Sequence, residues 1–316
     1  MSGLTTASVF APASVGNVAS GFDLLGHAVD GPGDTVTATR TNLPGVAVEA
    51  ITGLSDDLPL AADKNTAAVA AQALLDAIDP GFGVTLRIHK GIPLCSGLGG
   101  SAASATAGVV AANALLDTPL SREALYPFAL AGETLASGSA HGDNLGSQLL
   151  GGLVLATRDH LLKLPVPDSL HAVVVHPDCR VATRQARAAL REPFDLATVV
   201  AQQSHLAELI CGCYENDLAR LARGLVDVMI EPRRARLIPG LDAVKAAAFE
   251  QGAIGTAISG AGPTVVAWFD GTTRTQAGAA AMRSAFETVG LSSQAWITPV
   301  DAPGARLVDA PPAGAA

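Results

Sequence analysis

Charge and aromatic rings are scarce in this 316-residue chain: 16% of its residues are Asp, Glu, Lys or Arg, 4% are Phe, Trp or Tyr, and the only lysines are Lys64, Lys90, Lys163 and Lys245. The net charge is −9, and the one basic cluster is the short run Arg233, Arg234, Arg236. A nucleic-acid partner needs a clustered positive surface, so none is expected. Although mean hydropathy is positive, no apolar stretch reaches the roughly 18 uninterrupted residues that span a bilayer, and no membrane partner is expected. The N-terminal MSGLTTASVF lacks a basic segment followed by an apolar block, so a cytoplasmic location is expected. Cysteine is equally sparse. Cys95, Cys179, Cys211 and Cys213 fit neither a disulfide framework nor paired zinc hooks, even with His205 near Cys211-Gly-Cys213, and are expected to be buried or idle thiols.

What the chain does have is small apolar residues. It is 49% hydrophobic with 33 Gly and 19 Pro, the composition of a tightly packed chain long enough for one large or two smaller cores. Extended, β-branched segments at 6–10, 34–40 and 83–89 surround one helical pattern at 65–78. Segment 101–116 is apolar all round, as a helix buried on most faces should be. A further helix is expected at 121–136, with Ser121 as N-cap and Glu133 in its last turn. Strands at 151–156 and 171–176, a polar loop entering a helix at 181–191, and helices at 196–223 and 241–249 follow. Strands at 253–258 and 264–269, a helix at 275–289 and a strand at 294–298 complete the pattern. The mixed order predicts an α+β fold rather than regular βα alternation.

Residues 91–103, GIPLCSGLGGSAA, lie between a strand and the buried helix. Glycines there allow positive φ and close backbone approach, and the free N–H groups and dipole of the following helix favour an anion. A di- or triphosphate suits this geometry, with Ser101 offering its hydroxyl to phosphate or to magnesium. No Gly-Lys-Ser/Thr follows, so this is not a Walker A loop, nor is it a dinucleotide-binding GxGxxG. Two other small-residue loops, 11–23 with Asn17 and Asp23 and 259–264 with Gly260 and Gly262, point to one shared cavity.

Together these three segments resemble the GHMP kinase superfamily, whose marks are an N-terminal loop, a central P-x-x-x-G-L-x-S-S-A loop and a C-terminal glycine-rich loop. Gly21-Phe-Asp23, Glu133, Ser139-Ala-His141-Gly-Asp-Asn144, Thr183-Arg-Gln-Ala-Arg187 and Glu231-Pro-Arg-Arg234 are similar to its homoserine-phosphorylating branch, and the resemblance runs from about 8 to 298. It implies a two-lobed α+β fold with mixed sheets and a Gly-rich phosphate loop leading into a buried helix. The lobes are expected at 1–165 (nucleotide-binding) and 166–304 (completing the substrate site), with a disordered tail at 305–316. The implied reaction is ATP-dependent phosphorylation of the side-chain hydroxyl of L-homoserine, by direct transfer without a strong general base.

By the same resemblance, Pro93, Leu94, Cys95, Ser96, Gly97, Leu98, Gly99, Gly100, Ser101 and Ala102, with Gly260 and Gly262, would wrap the triphosphate. Ser101 and Glu133 would hold Mg²⁺. Arg187 and Arg234 would clamp the substrate carboxylate, because a guanidinium fork matches two oxygens; Arg233 and Arg236 are the alternatives. Asp23 would pair the ammonium or assist the hydroxyl, Asn17 would orient that hydroxyl, His141 and Asn144 would face one side, and Thr183 would add a hydroxyl. Asn65 is either a nucleotide contact or an N-cap. A homodimer agrees with the resemblance. Three departures stand out: Gly100 where a serine is usual, Ser96 where an arginine is common, and Ala19 where a glycine is common. A kinase for another small alcohol, such as mevalonate or shikimate, and a non-catalytic nucleotide-binding regulator are the alternative readings.

Overall fold

Strand β1 (Thr6–Gly16) runs past the expected 6–10 because Ala11, Ala13 and Val15 continue as fully buried residues, so the first loop begins only at Asn17. The computed structural model describes residues 4–55, 57–138 and 141–309. The first half of the chain continues with β2 (Leu25–Thr41), β3 (Val46–Gly53), α1 (Thr66–Ile78), β4 (Gly83–Lys90), α2 (Gly100–Ala114), α3 (Tyr126–Ser137), α4 (Asp143–Leu150), β5 (Leu153–Ala156) and β6 (Leu161–Lys163). Next come β7 (Leu170–Pro177), α5 (Thr183–Ala188), α6 (Leu196–Glu215), α7 (Leu218–Gly224), α8 (Glu231–Arg234), α9 (Leu241–Glu250), β8 (Gly255–Ile258), β9 (Val265–Asp270), α10 (Thr275–Glu287), β10 (Ser293–Pro299) and β11 (Arg306–Val308).

One sheet runs β11-β1-β2-β4-β3, with β5 and β6 continuing from the other end of β2. It is mixed: β3 and β4 are parallel and the other pairs antiparallel. Strand β2 pairs with three strands: β1 along most of its length, with a register shift at Pro12/Ala13, β4 through residues 35–41 and β5 through 25–27. The second sheet, β10-β7-β9-β8, is antiparallel and carries α9 and α10, which bury Met282 and Phe286 beside Phe269. The 165/166 division falls between β6 and β7, yet Leu209, Cys213 and Leu221 of α6 and α7 pack into the core cluster of the first sheet.

Several expectations shift. Ser121 Oγ accepts a hydrogen bond from the Ala124 amide but is not the cap of a helix: Arg122 precedes a 3-10 turn at Glu123–Leu125, and α3 starts only at Tyr126, with Pro127 in its first turn. The helical stretch expected at 196–223 consists of two helices divided at left-handed Asn216 (φ 55), after which Asp217 caps α7. Part of the expected disordered tail is ordered: Arg306–Val308 pairs with β1, while 310–316 lie outside the described residues. β3 and α4 had no expected counterpart. All four cysteines are free, but only Cys213 is buried: Cys95 and Cys211 are exposed and Cys179 is intermediate.

Helix α2 is buried from Ala102 to Asn113, as its all-apolar pattern predicts. It crosses α1 closely enough that a Cβ on Gly108 would lie 2.6 Å from the Ala67 carbonyl. Beneath its first turn, Lys90 and Asp34 form a buried ion pair. The Lys90 ammonium also donates to Gly100 O (2.9 Å) and Ser104 Oγ (2.8 Å), and Asp34 accepts from the Gly91 (3.1 Å) and Ile92 (3.2 Å) amides. The two sheets meet at His27. The Trp268 indole can only donate, so His27 Nε2 accepts (3.3 Å) and the ring proton sits on Nδ1, donated to Ala28 O (2.9 Å).

Two stability predictions arise here. Lys90→Met strands a buried carboxylate and should cost about 3–5 kcal/mol in urea unfolding, part of it recovered in Lys90→Met/Asp34→Asn. Burial depresses the His27 pKa from 6.5 to about 4. Its stabilisation is therefore complete above about pH 6.5 and lost as pH falls toward 4, up to roughly 3 kcal/mol. Urea midpoints measured across that window should fall, and fall less in His27→Gln.

Candidate active site

Three loops converge at one end of the first sheet, and hydrogen bonds from backbone and side chains make them one structure. The phosphate loop receives Ser259 Oγ on Gly97 O (2.7 Å) and Thr264 Oγ1 on Ser96 O (2.7 Å). The Gly260 amide donates to Gly16 O (3.0 Å), Asn17 Nδ2 to Gly260 O (2.7 Å) and the Ser14 amide to Leu98 O (3.1 Å). They enclose a cavity of about 360 Å³.

The loop between β4 and α2 presents backbone to the cavity. Gly97 (φ 79) and Gly99 (φ 67) are left-handed, and a Cβ on Gly97 would lie 2.4 Å from the Ser259 carbonyl. Pro93 to Gly97, Gly99, Gly100 and Ser101 line the cavity together with Gly260 and Gly262. Leu98 and Ala102 do not. Both side chains are fully buried in the core, which corrects their assignment to the ligand wall; Leu98 contributes its carbonyl to the Ser14 bond instead. Asn65 caps α1 through the Ala67 and Ala68 amides and does not line the cavity.

Glu133, near the end of α3, also lines it. Burial pushes its carboxyl up to about 7, against the lowering effect of a hydrogen bond with Ser101 and of nearby His141. A carboxyl and a hydroxyl side by side are hard oxygen donors that fit Mg²⁺, and a cation there would relieve the buried charge. Among the described residues no cluster of three or more His, Cys, Asp or Glu could hold a metal alone, so phosphate oxygens and water would complete the shell.

The lining also carries charge. Arg234 is 3% exposed, and donates to Gly260 O (2.9 Å) and Ala186 O (3.4 Å). Burial, with Arg187 adding to it, lowers its pKa to about 10. Of its neighbours, Arg233 stacks 3.5 Å over Phe194 and donates to the Glu192 and Pro193 carbonyls, while Arg236 lines a separate cavity, so Arg234 is the member that faces the site. Arg187 and Asp23 line the cavity but bind each other at 2.8 Å through both prongs, where each was expected to await a substrate charge. Phe22, to which sequence reasoning gave no role, has both guanidiniums 5.2 Å from its ring centroid.

Asn17 lines the cavity with Nδ2 donating to Gly260 O (2.7 Å) and Oδ1 accepting the Asp23 amide (3.0 Å), which leaves one Nδ2 hydrogen and one Oδ1 lone pair for a ligand. Asn144 Oδ1 accepts from Ser14 Oγ (2.8 Å), and Thr183 lines the rim. Asp143 was missed. It is buried, lines the cavity, accepts the Asn17 amide (3.0 Å) and faces His141 Nδ1 at 3.6 Å. Burial pulls the His141 pKa down, but Asp143 and Asp23 outweigh it and the net shift is upward. A short carboxylate at the start of α4 carried no sequence signal of its own. Ser139 and Ala140 lie outside the described residues.

Residues 65–152 match the GHMP kinases N terminal domain, and residues 207–288 the GHMP kinases C terminal domain. A homoserine kinase of Xylella fastidiosa (strain M12) is 52% identical over 302 residues, covering 96% of this chain and 94% of that protein. One from Chlorobium phaeobacteroides (strain BS1) is 40% identical, covering 96% and 100%. The crystal structure of homoserine kinase from Cytophaga hutchinsonii superposes with a TM-score of 0.93 at 40% identity, covering 98% of this chain and 99% of that one. L. major mevalonate kinase, at 16% identity and a TM-score of 0.68, shares the fold. The chain belongs to the GHMP kinases, in their homoserine kinase branch.

Proposed function

We propose that the chain transfers the γ-phosphoryl group of ATP to the side-chain hydroxyl of L-homoserine, giving O-phospho-L-homoserine on the route to threonine, by direct in-line displacement. One observation carries this: a single cavity is lined both by an anion-binding backbone and by two guanidiniums with a carboxylate. The triphosphate suits the loop amides and the N-terminus of α2. The amino-acid carboxylate suits Arg234 and Arg187, and the ammonium suits Asp23.

Mg²⁺ accompanying the nucleotide would be held by Ser101 and Glu133, where its charge would offset that of the phosphates. The chain's own contribution is position. Asp143 holds the Asn17 turn, Asn144 and Ser14 brace the phosphate loop, and the arginines fix the end of the acceptor remote from its hydroxyl, which turns a bimolecular encounter into a fixed approach. The hydroxyl proton passes to phosphoryl oxygen as the new bond forms, so no strong base is required. We take the reaction to be cytoplasmic, where its co-substrate ATP is available; among the described residues no helix is long and apolar enough to cross a membrane.

ADP release with Mg-ATP should be confined to L-homoserine among L-homoserine, D-homoserine, L-serine, mevalonate, shikimate and galactose. Turnover of another of these alcohols instead would overturn the amino-acid site. In the same assay Arg234→Ala should raise KM for L-homoserine by about tenfold or more with a smaller effect on kcat. Glu133→Gln should lower kcat by about a hundredfold and raise the Mg²⁺ concentration giving half-maximal rate, and an unchanged Mg²⁺ dependence would remove Glu133 from the metal.

A further inference from the structure

Two of the cavity's three most conspicuous charges are already matched from within the chain. Asp23 and Arg187, 164 positions apart, form a two-pronged ion pair, Nη1 to Oδ2 and Nη2 to Oδ1, each 2.8 Å. It is neither a core bridge nor a free surface pair, since the two side chains are 30% and 33% exposed and both line the cavity. Across Phe22, buried Arg234 has only carbonyl acceptors, with no carboxylate in ion-pair range among the described residues.

We propose that the Asp23–Arg187 pair is an internal stand-in for the zwitterionic end of the substrate, and that its exchange for that substrate sets specificity. The inference rests on the L-homoserine reading and extends it. A ligand with both an ammonium and a carboxylate replaces each partner: the ammonium takes Asp23, and the carboxylate takes Arg187 and reaches Arg234. One ion pair is broken and at least two form. A ligand with only one of these charges must break the same pair and leaves one partner half-buried and unmatched, which is costly. Singly charged alcohols are thus rejected by a repulsive element built into the site as well as by the contact they lack.

The geometry suits an exchange. Asp23 is anchored independently of Arg187, with its amide on Asn17 Oδ1 and its backbone in the left-handed region (φ 58), so it stays in place when its partner leaves. Arg187 sits on the six-residue helix α5. Phe22 offers its ring face to both guanidiniums, an attraction that tempers the repulsion between two cations once Asp23 is withdrawn from them.

Exchange makes a claim that simple contact does not: removing the Asp23 charge should strengthen binding of a ligand that never used it. Calorimetric titration of the full chain with L-homoserine, γ-hydroxybutyrate (no ammonium) and aminopropanol (no carboxylate) tests this. Asp23→Asn should weaken L-homoserine but tighten γ-hydroxybutyrate by about tenfold, equivalent to about 1.4 kcal/mol no longer spent on breaking the pair. Arg187→Met should do the same for aminopropanol, and as an independent variant it decides the matter if Asp23→Asn misfolds. Unchanged or weaker analogue binding in the folded variants, with L-homoserine still bound by the wild type, overturns the exchange alone. Failure of the wild type to bind L-homoserine overturns the exchange and the substrate reading together.

Discussion

One buried ion pair governs where the phosphate loop sits. Lys90 ends β4 and Asp34 lies beside it in β2, so their pairing fixes the strand end from which the loop departs. Asp34 then takes the first two loop amides, those of Gly91 and Ile92, and Lys90 takes the carbonyl of Gly100, where α2 begins. Both ends of the loop are clamped to one charge pair. The span between them is left to Gly97 and Gly99, whose left-handed backbone keeps the loop tight against Ser259 and Ser14. A buried pair of this kind is weak evidence for stability, because desolvation offsets much of the attraction. Its consequence here is geometric.

Around that clamp the phosphate wall and the acceptor wall of the cavity use different chemistry. The phosphate wall has no Lys or Arg side chain among the residues that line it, and relies on amides and a helix terminus, which favour negative charge without needing a flexible side chain to be ordered. The acceptor wall uses guanidiniums, which are directional and remain charged even when burial lowers their pKa, as for Arg234. The first loop joins the two walls. Asn17 ties it to Gly260 through its side chain and to Asp143 through its amide, and the Asp143 carboxylate sits so close that a Cβ on Gly16 would lie 2.6 Å from Oδ2.

The glycine-rich loop, the buried helix after it and the arginine at the end of Glu231-Pro-Arg-Arg234 were legible in the sequence because each is a local pattern: turn residues, an apolar periphery, a charge inside a motif. What was not legible depends on pairs distant in sequence. Asp143 gains its place from Asn17, 126 residues away, and the Asp23–Arg187 pairing spans 164. Leu98 and Ala102 sit inside the phosphate motif yet face the core, since a motif names positions and not the direction in which each side chain points. The strand β1 was cut short because Ala, Pro and Ser resemble loop composition, while burial on both faces is a property of the assembled sheet.

The three departures from the family pattern are each accommodated, in different ways. Ser96 turns inward: it is 2% exposed, and its hydroxyl accepts the Leu98 amide (3.3 Å), a local bond that supports the loop's turn and that an arginine could not make. A Cβ on Gly100 would come within 3.3 Å of Ile92 Cγ2, so glycine relieves a crowded contact at the helix start while Ser101 keeps its hydroxyl on the cavity. Ala19 is the costly one. Asn17, Val18 and Ala19 are all left-handed, at φ 73, 41 and 55, a run that only glycine enters without penalty. The bonds that Asn17 donates to Asp143 and Gly260, and the burial of Val18 and Ala19, therefore hold the first loop in a conformation its own residues resist. Strain stored in this way is released by any change that loosens α4 or the third loop, which makes the placement of Asp23 dependent on elements far from it in sequence.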